Sequence, residues 1–345
     1  MNKSMIWRSR KVSFLIAHRT IAVIILFLLI DLIAAVISTG VGSTMIHPID
    51  VLKVILGGGT DTNQTIIETL RMPRVVIALL IGASLGVAGG ILQGIVRNPL
   101  TSPDIIGITG GATLGAVLFI FFLAESVSIV WMPLSAILGA FAVSMLIYVL
   151  AWRHGVTPLR LVLIGIGMSA ALSSLTYMLI ISGPVALTNK SLTFMTGSIY
   201  GVSWKRDVFT LLPWVAVLLP LALFYARHLN VQELGDEVAT GVGTALQRKR
   251  LILLVISIAL AGSAVAIGGA ISFIGLMAPH IARKLVGPAY GGVLPVSALV
   301  GALILLAADL VARTAFTPLD IPAGVFSAAI GAPFFLYLLY RHRNQ

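Results

Sequence analysis

Apolar runs of about twenty residues follow one another along the whole chain, and that length is what a helix needs to cross roughly 30 Å of hydrocarbon. Read against the polar, proline and glycine breaks, the runs fall at 20–38, 74–96, 105–124, 130–151, 160–181, 208–226, 250–267, 271–286, 293–312 and 321–340. They leave no room for a soluble domain of useful size within 345 residues. Composition agrees, because 58% of the residues are hydrophobic and only 10% are charged, whereas a soluble domain carries about 25% charged residues. The chain therefore reads as an all-α membrane protein, a single transmembrane domain over 1–345 with about ten transmembrane helices. Its place is a cell (cytoplasmic) membrane, which it crosses many times.

The net charge of +11 would suggest nucleic acid as partner of a soluble protein. Here the cations lie in short segments between apolar runs, so the surplus reads as membrane orientation and no nucleic-acid partner is expected. With the N-terminus inside, roughly two thirds of the Lys and Arg fall in inside segments, which points to N-in and C-in. The basic segment Met1–Thr20 precedes a run without a small-residue cleavage signature, and so reads as leading into a retained first helix. The absence of cysteine excludes disulfides, thiolate metal sites and a cysteine nucleophile. The six histidines have no metal-ligand spacing, so neither a metal site nor a cofactor is expected.

Two segments between spans are long. The outside segment Thr39–Pro73 contains the turn signal Gly57-Gly58-Gly59-Thr60-Asp61, flanked by Ile49–Leu56 and Gln64–Leu70, which read as short surface helices. Arg227–Arg250 is the only sizeable inside loop, and a cytoplasmic partner would dock there. The two halves also echo one another. Gly86-Val87-Ala88-Gly89-Gly90-Ile91 followed by Asn98-Pro99 parallels Ala264-Val265-Ala266-Ile267-Gly268-Gly269 followed by Pro279-His280. The copies run in opposite directions, as an inverted repeat of spans 2–5 and 7–10 requires, and such a repeat places a translocation path between the halves.

Gly82, Gly86, Gly90 and Gly94 share one helix face, repeated by Gly107, Gly111 and Gly115 in the next span. Close helix packing is the simpler account, and a smooth wall along a pathway, with Gln93, Asn98 and Pro99 at its end, is the sharper one. Gly82-Ala83-Ser84-Leu85-Gly86 also spells a nucleophile-elbow pattern. That chemistry needs a sharp turn and a histidine base, whereas Ser84 sits in mid-helix, so no catalytic residue is assigned and an intramembrane serine hydrolase is a remote alternative. No phosphate-binding loop is present, so energy from ATP must come from a partner. Asp31 and Asp309 are carboxylates within spans, where ionisable groups are costly and suspect of function. They keep an ion-driven secondary transporter open, although Arg313 one turn from Asp309 offers a plain i, i+4 pair. Arg71 and Arg313 lie at outer helix ends, where an arginine serves as interfacial anchor or grips carboxylates of an external protein bidentately.

The sequence resembles the permease subunits of the FecCD type from about Ile21 to Leu339. The resemblance is carried by Arg71-Met72-Pro73-Arg74, Gly89-Gly90-Ile91-Leu92-Gln93, Arg97-Asn98-Pro99-Leu100, Ser272-Phe273-Ile274-Gly275-Leu276, Pro279-His280-Ile281-Ala282-Arg283, Ala308-Asp309-Leu310-Val311-Ala312-Arg313 and Ile321-Pro322-Ala323-Gly324-Val325. It implies a ten-helix subunit of an ATP-driven importer, iron(III)-siderophore being the favoured cargo. The partners it implies are a second permease copy, identical or not, a cytoplasmic ATPase dimer, an extracytoplasmic substrate-binding protein and the surrounding lipid. By the same resemblance Arg71 and Arg313 receive binding-protein glutamates. The loop that couples to the ATPase maps onto Leu234, Gly235, Asp236 and Glu237 with Ala239 and Gly243.

Overall fold

The computed structural model describes residues 4–9, 12–42, 44–153, 155–316 and 319–342. Met1–Lys3, Arg10 and Lys11 of the basic leading segment lie outside the described residues. Two short strands, β1 (Ser4–Ser9) and β2 (Val12–Ala17), pair antiparallel before the first helix, a departure from the all-α expectation. Among the described residues from His18 on, the regular elements are helical apart from a bridge between Trp152 and Val156.

The helices are α1 (His18–Gly40), α2 (Pro48–Ile55), α3 (Asp61–Gln64), α4 (Met72–Val96), α5 (Ile108–Phe122), α6 (Met132–Ala151) and α7 (Pro158–Ser182). They continue with α8 (Val185–Thr196), α9 (Phe209–Glu233), α10 (Asp236–Gly241), α11 (Leu246–Gly268), α12 (Ile274–Val286), α13 (Tyr290–Thr314) and α14 (Ala323–His342). A π-helical turn, Thr65–Arg71, joins α3 to α4 so that 61–96 is one helical run. Among the described residues, seven helices are long and apolar enough to cross a membrane: α1, 61–96, 129–151, α7, 204–233, α11 and α13.

The expected spans at 105–124 and 271–286 are shorter than expected. At 1.5 Å per residue, α5 with 15 residues and α12 with 13 reach roughly 22 and 20 Å, short of the hydrocarbon thickness. The apolar part of α14, 323–338, is also shorter than a full span. Pro103 holds the chain in turns through Gly107, so Ile105 and Ile106 precede the helix rather than open it. Gly269, at φ 72°, ends α11. Non-helical backbone at membrane depth survives only where protein encloses it. These breaks are enclosed: Thr101, Ile106 and Ile271 are buried, Ser169 Oγ donates to the Asp104 carbonyl at 3.0 Å, and the Ala270 amide donates to the Phe194 carbonyl at 3.1 Å. Phe194 belongs to α8, which lies between the expected spans at 160–181 and 208–226. Each break ends in a residue of left-handed conformation that opens the short helix, Gly107 before α5 and Phe273 before α12.

The centre of the structure is α4, wrapped by α9, α11, α12 and α13. Its glycine stripe lies along α13. A Cβ on Gly82 would overlap the Gly301 carbonyl oxygen, one on Gly86 the Ser297 carbonyl, and one on Gly94 would sit 2.8 Å from the Tyr290 hydroxyl. Gly89, beside the stripe, meets the Gly275 carbonyl of α12 in the same way. The second stripe pairs α5 with α6, where Gly111 and Gly115 face the carbonyls of Gly139 and Ser135. Without side chains the backbones approach closely, which is what drives helix association where lipid removes the hydrophobic difference. Gly89→Ala should therefore push α4 from α12 and cost about 1–3 kcal/mol or more. Gly167→Ala, where nothing lies within 4 Å of the added carbon, should leave thermal unfolding in detergent unchanged or slightly raised. Equal midpoints for the two variants would refute this packing role.

Candidate functional site

Hydrogen bonds sort the helix termini into two ends of the bundle. At one end meet the ends of α4, α9 and α12 with the starts of α1, α11 and α13. Arg19 donates to the Lys284 carbonyl at 3.4 Å, and the Tyr290 amide donates to Asn230 Oδ1 at 2.8 Å. At the other end meet the start of α4 and the ends of α1 and α13.

The first end carries α10. Leu234 follows α9, Gly235 turns the chain at φ 107°, and Asp236 opens α10. Gly243, at φ 79°, releases the chain toward α11. A positive φ strains any residue with a Cβ, so glycine suits both turns. Leu234, Val238 and Val242 recur every four residues and are 67%, 47% and 67% exposed, a solvent-facing apolar stripe. Ala239 points inward and is fully buried, while Glu237 is exposed. Asp236 faces the bundle. Its Oδ1 accepts from Arg97 Nη2 at 2.8 Å and from Arg250 Nη2 at 2.9 Å. Arg97 caps α4 in the left-handed conformation, its amide bonded to the Gln93 carbonyl. Arg250 is 1% exposed and also donates to the Val156 carbonyl between α6 and α7.

A second polar group lies beside it. Gln93, 1% exposed, donates to the Leu276 carbonyl at 3.3 Å and accepts from Arg283. Arg283 donates to the Tyr290 hydroxyl at 3.1 Å, which donates to Glu233 Oε1 at 3.0 Å. Glu233 is the last residue of α9, so both flanks of the α10 segment are wired to the helices around α4. Asn98 and Pro99 form an exposed turn, Asn98 Oδ1 accepting from the Leu100 amide at 2.9 Å.

At the opposite end Arg71 and Arg313 converge on the terminus of α1. Arg71, 9% exposed, donates to the carbonyls of Thr39, Gly40 and Thr44 at 3.0, 2.9 and 2.7 Å. Arg313 donates to the carbonyls of Val41 and Ser38 and to Ser38 Oγ. Cations at a helix C-terminus satisfy its free carbonyls and oppose its dipole, so both guanidinium groups point inward and organise α1. Asp309 takes its closest ion pair from Arg74, at 2.8 Å, whereas Arg313 Nε stands 3.6 Å away. Arg74 also binds Asp320 through two bonds of 2.6 and 2.8 Å. Asp31 is buried within α1, and neither carboxyl oxygen has a partner among the described residues. Ser84 is fully buried in mid-α4 and donates to the Leu80 carbonyl at 2.7 Å, with no elbow to expose it.

The sequence alone assigns no site role to Arg74, Arg97, Arg250, Val238 or Val242, although Arg74 and Arg97 stand in the family motifs. Only the two valines left a local trace, their four-residue spacing from Leu234. The arginines find carboxylates 235 (Arg74), 139 (Arg97) and 14 (Arg250) residues away, so nothing near them in sequence marks the pairing.

The chain belongs to the FecCD transport family, whose profile matches residues 27–341. It is a transport component and not an enzyme. YfhA of Bacillus subtilis (strain 168), named a probable siderophore transport system permease protein, is 48% identical over 93% of this chain and 96% of its own. The achromobactin transport system permease protein CbrC of Dickeya dadantii (strain 3937) is 44% identical over 100% and 98%. A solved structure described as an inward-facing conformation of a metal-chelate type ABC transporter superposes with a TM-score of 0.84 and 31% identity, covering 93% of this chain and 99% of that one.

Arg74→Gln would leave the fully buried Asp309 without its main cation, which costs about 3–5 kcal/mol. Thermal unfolding should record a large drop, and adding Asp309→Asn should recover most of it. A double variant no more stable than the single would show that the pair is not what holds this end.

Proposed function

We propose that the chain is the permease subunit of an ATP-binding-cassette importer for an iron(III) chelate, and that it couples to a separate ATPase and a substrate-binding protein. The observation that carries the reading is the α10 segment: a short helix set off by two glycine turns, with an apolar face exposed and a charged face tied inward. The names of the relatives support a ferric siderophore as cargo, and the chain's lack of a phosphate loop assigns ATP hydrolysis to a partner.

The proposed topology has ten crossings, α1, α4, α5, α6, α7, α9, α11, α12, α13 and α14, with both termini and α10 inside. The cations gathered at the α10 end, among them Arg97, Arg248, Lys249, Arg250, Arg283 and Lys284, support that side as cytoplasmic. The order long helix, enclosed break, short helix occurs in 72–122 and again, reversed in direction, in 246–286. This supports an inverted repeat, with the path where a second permease copy pairs with this one. The binding protein docks on the opposite face, over the ground that Arg71 and Arg313 order by holding the end of α1. Ion-driven transport rests only on Asp31 and Asp309, and the Arg74 pair gives Asp309 a structural role.

Three expectations follow from this reading. In proteoliposomes with its partner ATPase and substrate-binding protein, the chain should take up ferric chelate only when ATP is supplied. Uptake driven by an ion gradient without any ATPase would overturn the importer reading. Val238→Asp with Val242→Asp should abolish ATPase association in pull-down while thermal unfolding stays near native, because both side chains face solvent. Arg71→Glu should weaken binding-protein docking and also lower the unfolding midpoint. Normal docking by this variant would remove Arg71 from the docking face.

A further inference from the structure

Asp236 sits in the segment proposed to meet the ATPase, but its carboxylate is held from two directions by Arg97 and Arg250. We infer that Arg97, Asp236 and Arg250 form a lock that fixes α10 to α4 and α11, and that Asp236 positions α10 instead of contacting the ATPase. The inference rests on the importer reading above and assigns parts within the same segment.

The weakness of the other anchors makes the lock matter. Within α10 only Ala239 is buried, so one methyl group is the whole apolar attachment of the helix. Both flanks are glycine turns, and Gly243 has no atom within 4 Å of where a Cβ would stand. Such a helix would swing about its two turns unless something polar held its first residue. The two arginines supply that hold from different elements. Arg97 reaches Asp236 from the end of α4, and Arg250 from the first turns of α11. Arg250 in turn grips the Val156 carbonyl, and Gln247 Oε1 accepts from the Val156 amide at 3.2 Å. One carboxylate oxygen thus joins α10 to α4, α11 and the turn between α6 and α7. Two charge-assisted bonds that reach one oxygen from different elements hold it in direction as well as distance. A push on the exposed Leu234, Val238 and Val242 stripe is therefore passed to α4, the helix around which the others pack, as a rigid-body motion.

The pairs are unequal. Asp236 and Arg97 are 34% and 31% exposed in their side chains, whereas Arg250 is 1% exposed. Arg97 is thus the releasable half, accessible to water, and Arg250 the permanent half. Its left-handed backbone also provides a clean test, since Arg97→Gly keeps that turn at no steric cost while deleting the guanidinium.

The test combines hydrogen exchange of the detergent-purified chain with assays of the full transporter carrying its ATPase. Asp236→Asn and Arg97→Gly should each speed amide exchange across residues 236–245 by about ten-fold or more and leave exchange in α4 and α13 near native. In the full transporter the ATPase should still copurify, while ferric chelate moved per ATP hydrolysed falls several-fold, and Arg97→Lys should restore part of the loss. Native exchange in the segment would overturn the lock. Loss of ATPase copurification with native exchange would overturn it too, by making Asp236 a contact residue, and would leave the importer reading standing. If the native chain recruits no ATPase, the importer reading falls and the exchange result alone decides the lock.

Discussion

The approach of α4 to α13 and α12 at backbone contact is what the remaining structure depends on. In hydrocarbon the apolar side chains of two helices gain little by meeting, because lipid is as apolar as they are. Association then rests on close van der Waals contact, and contact is closest where side chains are missing. Gly82, Gly86 and Gly89 bring their backbones against the carbonyls of Gly301, Ser297 and Gly275. This makes α4 a central post that the termini of the other helices can reach from both ends.

From that post follow two ends with different mechanics. At one end Arg71, Arg74 and Arg313 hold the terminus of α1, Asp309 and Asp320 through several bonds each. Such an end resists motion. At the other, the Gln93, Arg283, Tyr290 and Glu233 chain ties α9 to α4, α12 and α13, and beyond it α10 hangs between two glycine turns. A structure firm at one end and jointed at the other is suited to receiving a push on the jointed side and passing it along the post.

Much of this was legible in particular residues. The Gly57–Gly59 turn after the short helix α2, the four-residue glycine spacing as packing, and the helix breaks around Gly235 and Gly243 all appear where local chemistry predicts them, whereas the short helix expected at Gln64–Leu70 is the start of the continuous run 61–96. Local chemistry also misled. The Asp309 and Arg313 spacing suggested a simple pair, yet Arg74 approaches Asp309 more closely from another helix. Apolar Ile105 and Ile106 were read into a span, but they precede α5 because Pro103 keeps the chain in turns there. The segment between the expected spans at 160–181 and 208–226 holds a further helix, α8, whose Phe194 carbonyl accepts from the Ala270 amide.

The sequence by itself determined the apolar surroundings, a series of long apolar helices and the family. Those properties depend on composition and on short motifs, and a bilayer accepts few ways of hiding a backbone. The tertiary structure alone decided which charges meet. Arg71 and Arg313 lie at outer helix ends by position alone, and only the packing of three helices shows that both donate to carbonyls at the terminus of α1. Asp236 was one letter of a loop motif, and it became the joint of four elements because Arg97 and Arg250 arrive from helices that pack around the same post. An ion pair needs its partners within about 4 Å, and distance along the chain carries no information about distance across a bundle.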